Sequence, residues 1–216
     1  MTISNLDGIE ASVEDIRRIR DRLEHLDADT LFRIGYSAYE YLRDLKTPVP
    51  SSSYSLLKRI ESGDPNAILG CVTKMIEERD ELVEAAHGAH CHNGETKKEI
   101  VLTELQQSIY WPILIAVGNH IPYENLRFIE FLRKGYEGKN LVSITVEELK
   151  GGCNDNTQNS IVLVRQTLVF AGNNMLQYNH SFPDDSIKFE DIANHDLKQM
   201  LQKDYLFQNV RQKLGV

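Results

Sequence analysis

Glu77, Glu78 and Glu81 stand at positions i, i+1 and i+4 of a strongly helical run, KMIEERDELVEAAHG, which begins at Lys74. On an α-helix Glu77 and Glu81 lie one above the other, and Glu78 sits about 100° around from Glu77. Like charges at this spacing destabilise an isolated helix by about 0.2–0.5 kcal/mol per pair, so this face calls for a cation or a basic partner. A second helical run supplies Glu99 and Glu104 one hairpin later. Antiparallel packing of the two helices lets their carboxylates meet across the interface, where hard oxygen ligands suit Mg²⁺ or Mn²⁺. The stretch Lys74–Gln107 therefore commits the middle of the chain to a helical hairpin.

With 216 residues, 41% of them hydrophobic, the chain can bury one large or two small cores. Its net charge of −8, with basic residues interspersed among acids, argues against a nucleic-acid partner and for a small molecule or a protein. Cys71, Cys91 and Cys153 are odd in number, widely spaced and without a CxxC pair, which points to a reducing compartment. MTISNLDGIEASVEDI carries neither a basic nor an apolar leader region. The apolar run IYWPILIAVG is interrupted by Pro112 and is too short to span a bilayer. Cytoplasmic residence without a membrane partner is the resulting expectation.

The fold class expected is all-α, in three parts: a helical hairpin over 1–48, a central helical bundle over 49–137 and a mostly helical extension over 138–216. Val13, Ile16, Ile19, Leu23 and Leu26 mark a first apolar stripe at helical spacing. Asp29 or Thr30 can cap a second helix that buries Leu31, Ile34, Ala38, Tyr41 and Leu42 and stops before Pro48. In the centre, SSYSLLKRI gives a short helix, and Asp64-Pro65 restarts the chain as an N-cap followed by proline at the first helical position. Further helices are expected from Thr96 to Val117, kinked at Pro112, and from Pro122 to Tyr136. Leu141–Val146 is β-branched enough for a strand; Ser160–Phe170 reads as helix, with strand as the alternative. Asn173–Asp185 reads as a loop, and Asp191–Leu214 as helix.

Three central segments carry a resemblance: SSYSLLKRI, KMIEERDELVEAAHG and EIVLTELQQSIYW. In this order and spacing, over about residues 51–136, they resemble the all-α nucleoside-triphosphate pyrophosphatase superfamily. This superfamily includes MazG-like proteins, and the likeness is closest to phosphoribosyl-ATP pyrophosphohydrolase. It implies a helical bundle paired as a homodimer or higher homo-oligomer, and Mg²⁺-dependent cleavage of a nucleotide between its α and β phosphates. The family's EExxE motif is matched by Glu77-Glu78-Arg79-Asp80-Glu81. Its ExxD motif falls on Glu104-Leu105-Gln106-Gln107, so Gln107 replaces an acid, and Trp111 follows Tyr110 where a histidine often stands. The resemblance thus implies Glu77, Glu78, Glu81 and Glu104 as metal ligands, with Glu78 and Glu81 catalytic.

Gln107 can offer a neutral oxygen to a cation or substrate but brings no charge and cannot act as a base. Glu99 is roughly 140° from Glu104 on the helix and substitutes poorly; Asp80 and Glu84 are nearer. Lys74, one turn before the acids, can steady a phosphate. Tyr110 and Trp111, with Tyr36, Tyr39 and Tyr41, can stack on a base, although aromatic residues at helical spacing usually serve the core. His87, His90, Cys91 and His92 in HGAHCHNG have ligand types suited to a second, transition metal, in a spacing that matches no standard zinc pattern.

Overall fold

Four helices begin where the sequence supplies a side-chain acceptor. Asp27 Oδ1 accepts from the Thr30 amide at 2.8 Å, Ser51 Oγ from Tyr54 at 3.3 Å, Asp64 Oδ1 from Asn66 at 2.9 Å and Thr96 Oγ1 from Glu99 at 3.3 Å. Each such cap satisfies one of the amides that a helix start leaves without an internal partner. The cap of the first of these helices is thus Asp27, not Asp29 or Thr30. A computed structural model describes residues 25–87, 96–138 and 157–200, with Asp21 and Leu23 before them. The protein is all-α, with no strand among the described residues. The helix expected over 13–26 and the segment Leu141–Val146 lie mostly or wholly outside them.

Two compact units divide the chain: residues 1–50 with 189–216, and residues 51–188. The break after Pro50 follows Pro48-Val49-Pro50, before which the second helix is expected to stop. Of the C-terminal extension read from the sequence, residues 157–188 join the central bundle and residues 189–200 the N-terminal helix. In the first unit, α1 (Ala28–Asp44) packs on α8 (Phe189–Met200). Its buried side is formed by Leu31, Phe32, Gly35, Tyr36, Tyr39 and Leu42, while Tyr41, expected there, is 43% exposed. A Cβ at Gly35 would sit 3.1 Å from Asp196 Oδ2, so the Asp196 side chain would have to give by a few tenths of an ångström to admit one.

The second unit contains α2 (Ser52–Glu61), α3 (Pro65–Ala86), α4 (Lys97–Gly118), the short α5 (Tyr123–Leu126), α6 (Phe128–Tyr136) and α7 (Thr157–Ser181). Helix α4 is the hub, packing on α2, α3 and α7. It is long and apolar enough to cross a membrane, yet 67% of its most apolar window is buried in this bundle, as a core helix requires. Pro112 lies inside it and removes the amide that would bond the Ser108 carbonyl.

Two local expectations are corrected. The helix expected from Pro122 to Tyr136 is broken at Arg127, whose φ of 53° is left-handed; Tyr123 and Phe128 stack across the break at 5.5 Å. The loop expected at Asn173–Asp185 is helical as far as Ser181. Asn174 and Tyr178 are buried here, and Asn179 is occupied by tertiary bonds, accepting from the Ile187 amide and donating to the Ile187 carbonyl, both at 2.8 Å. Burial of one face outweighed the weak local preference of asparagine for turns.

Candidate metal centre

Helix α3 offers Glu78 and Glu81 one turn apart, and α4 offers Glu104 opposite them. One carboxylate oxygen from each lies within 4.8 Å of the others, and the three residues are the acidic group among the described residues that could hold a cation. Two pairings fix the antiparallel course of the helices. Glu81 faces Glu104, and three residues earlier Glu78 Oε1 accepts from Trp111 Nε1, two turns further along α4, at 3.2 Å.

Burial is graded across the cluster. Glu78 is 4% exposed and Glu104 9%, whereas Glu81 opens to solvent and leaves a way in. Burial raises the Glu78 carboxyl above its ordinary range, and Glu81 adds to the rise, while hydrogen bonds from Glu104 and Trp111 oppose it. Glu104 is pushed up to about 8, first by burial and then by Glu78 and Glu81. At neutral pH without a cation, Glu104 therefore keeps a proton. Its Oε2 is nonetheless buried with no hydrogen-bond partner. A buried carboxylate oxygen without a donor, on a residue grouped with two more carboxylates, is an environment that a divalent cation relieves. The residues present thus fit a hard cation with oxygen ligands.

Gln107, one turn after Glu104, points at Glu78. With its amide turned so that nitrogen faces the acid, it donates to Glu78 Oε1 and Oε2 at 3.1 and 3.2 Å. That orientation follows from hydrogen-bond chemistry, since the opposite one sets oxygen against oxygen. Rotation about the last side-chain bond would instead offer the oxygen to a cation.

The other residues singled out from the sequence are placed as follows. Glu77 lies outside the cluster and is paired with Lys74 Nζ at 2.5 Å, and this contact holds the Lys74 ammonium above its ordinary pKa. Asp80 pairs with Arg79, Glu99 closes a capping box with Thr96, and neither they nor Glu84 belong to the cluster. Tyr110 shares a 2.7 Å hydrogen bond with Ser53 and meets the Trp111 ring edge-on at 4.8 Å. Tyr36 and Tyr39 are core residues of the first unit. His87 caps α3, its Nδ1 bonded to the Val83 carbonyl at 2.7 Å; His90, Cys91 and His92 lie outside the described residues. The Trp111–Glu78 bond, spanning 33 residues, had no signal in the sequence. Compared with known proteins, the chain matches no family model, no curated protein and no solved structure.

Proposed function

We propose that this protein is a Mg²⁺-dependent nucleotide pyrophosphohydrolase of the MazG-like type. It would cleave the α–β phosphate bond to leave a nucleoside monophosphate and pyrophosphate, with phosphoribosyl-ATP among the substrates to test first. One observation carries the reading: Glu78, Glu81 and Glu104 converge from two helices, and a Glu104 oxygen is buried without a partner. The motif resemblance supports it through the same residues.

A bound Mg²⁺ would neutralise polyphosphate charge and lower the pKa of a water molecule. The chain supplies the rest. Glu78 and Glu104 would hold the cation from opposite helices, Glu104 losing its proton on doing so. Trp111 Nε1 and the Gln107 amide keep Glu78 in register. Glu81, at the open edge, accepts the proton of the attacking water. Lys74, more than half exposed beside Glu77, is within one turn of the site and can turn to a phosphate. The edge-to-face pair of Tyr110 and Trp111 offers an aromatic wall to a base.

Pyrophosphate release across a panel of nucleoside triphosphates and phosphoribosyl-ATP, with and without Mg²⁺, tests the proposal. Turnover should require the cation and fall by about a hundredfold or more in Glu78→Gln with Glu81→Gln. A wild type inactive on the whole panel would overturn the enzyme reading. Gln107, in place of an acid, favours a second reading in which the site binds a nucleotide with Mg²⁺ and does not hydrolyse it. Thermal stabilisation by Mg²⁺ plus nucleotide without turnover would select that reading.

A further inference from the structure

Glu104 Oε2 and Ser108 Oγ on α4, and Asn174 Nδ2 and Tyr178 Oη on α7, are buried and have no hydrogen-bond partner. None of the four residues is more than 9% exposed, so these atoms do not look outward. Glu104 and Ser108 are one turn apart, as are Asn174 and Tyr178, so each pair shares a helix face.

The register of the helices brings the two pairs together. Arg79 lies over the Phe170 ring and His87 meets Phe182 edge-on, so α7 runs parallel to α3 and antiparallel to α4. Ser160 Oγ, near the start of α7, donates to Asn119 Oδ1, at the end of α4, at 3.5 Å. From that contact about 21 Å along α7 leads to Asn174, and the same length back along α4 leads to Leu105, between Glu104 and Ser108. The route through α3 agrees: Leu82 borders a cleft with Asn174, and its neighbour Glu81 faces Glu104. Asn174 and Tyr178 lie within about 40° of Ser160 around α7, and Ser108 within about 20° of Asn119 around α4. These three side chains therefore enter one seam between α4 and α7, and Glu104, about 60° from Asn119, borders it on the α3 side. Level with Ser108 on α7 stands Ala171, which brings no long side chain into the seam.

Buried polar groups in folded proteins are nearly always satisfied, and where no protein group does so an ordered water does. Asn174 Nδ2 only donates, an ionised Glu104 Oε2 only accepts, and the two hydroxyls do either. A water molecule accepts from two groups and donates to two, which matches this set. Pro112 also deprives the Ser108 carbonyl of its helical amide, adding an acceptor at the same turn. A carboxylate oxygen has more than one acceptor position, so water on Glu104 Oε2 leaves room for a cation.

We propose that a buried water molecule between α4 and α7, held by Ser108, Asn174 and Tyr178, donates to Glu104 Oε2 and makes Ser108 and Asn174 positioning residues of the carboxylate cluster. The hydration site stands on the four atoms alone; its effect on the cluster rests on a cation binding there.

A high-resolution crystal structure of the full chain, with calorimetric Mg²⁺ titration of its variants, tests both parts. The crystal should show a water within hydrogen-bond distance of Ser108 Oγ, Asn174 Nδ2 and Glu104 Oε2. Ser108→Ala and Asn174→Ala should each weaken Mg²⁺ by about tenfold, the scale on which partners of metal ligands act. Added to Glu104→Ala, which removes the atom that the water reaches, Ser108→Ala should weaken it no further. Apolar atoms packed against Ser108 Oγ and Asn174 Nδ2, with no water between, would overturn the hydration site. Unchanged Mg²⁺ affinity in Ser108→Ala, or an equal loss with and without Glu104, would overturn the positioning role. A wild type that binds no Mg²⁺ while its crystal shows the water would sink the cation and leave the hydration site standing.

Discussion

Trp111 and Glu78, on neighbouring helices, are joined by a hydrogen bond from the indole Nε1 to carboxylate Oε1 at 3.2 Å. The bond opposes the burial that raises the Glu78 pKa. Trp111→Phe keeps an aromatic ring at this position and removes the donor together with part of the indole, so the Glu78 carboxyl should rise further. A hydrogen bond to a charged group contributes roughly 1.5–3 kcal/mol. Mg²⁺ affinity measured by calorimetry should accordingly fall by about tenfold. An unchanged affinity would mean that the indole N–H does not support the carboxylate as a ligand.

Glu104 makes the stability of the cation-free protein depend on pH. Its folded value of about 8 lies above the ordinary 4.5, so the fold favours the neutral carboxyl. The associated stabilisation is fully present below about pH 4.5 and is lost as pH rises through about 8, amounting on the order of a few kcal/mol. In EDTA the melting temperature should therefore decline across this window. Glu104→Gln, neutral at every pH, should flatten the decline, and Mg²⁺ should cancel it in the wild type by replacing the proton. Coincident profiles for wild type and variant would show that Glu104 titrates normally.

The helices of the second unit were legible because their signals are local. Asp64-Pro65 acts within a few residues, and the structure uses it as the N-cap and first position of α3. The pairing of Glu78 and Glu81 with Glu104 was also legible, since helical spacing and a short connection leave few other ways to set the two faces together. Contacts between distant residues were not. No local pattern announces that Trp111 will bond Glu78, or that Asn174 and Tyr178 will be buried against α3 in what composition reads as a loop. The break at Arg127 gave no warning either, because a left-handed φ normally falls on glycine or asparagine.

Gln107 is where charge can be added to test the cation site. Its amide donates to Glu78 when nothing is bound. Gln107→Asp would replace that donor with a fourth carboxylate, one turn from Glu104. The cation-free variant should melt lower than wild type through repulsion. Its Mg²⁺ affinity should rise by about tenfold or more, the scale on which changes around a metal site act. Both shifts can be read from one series of melting curves against Mg²⁺ concentration. A variant that melts lower and gains nothing from Mg²⁺ would count against a cation at this cluster.

The bundle that holds the site depends on two glycines that face each other. A Cβ at Gly135 in α6 would lie 2.0 Å from the Val169 carbonyl oxygen, and one at Gly172 in α7 would lie 2.1 Å from that of Leu132. Both obstacles are helix backbone, which cannot swing aside as a side chain can, so the helices would have to separate along their whole contact. Gly135→Ala and Gly172→Ala should each destabilise by about 3 kcal/mol or more, at the upper end of overpacking costs. Gly70, in the middle of α3, meets nothing within 4 Å. Gly70→Ala should stabilise by about 0.5–1 kcal/mol, since alanine is the better helix former and no neighbour resists it. Urea unfolding of the three variants would separate the two cases by sign; a similar small change in all three would show that α6 and α7 do not approach this closely in solution.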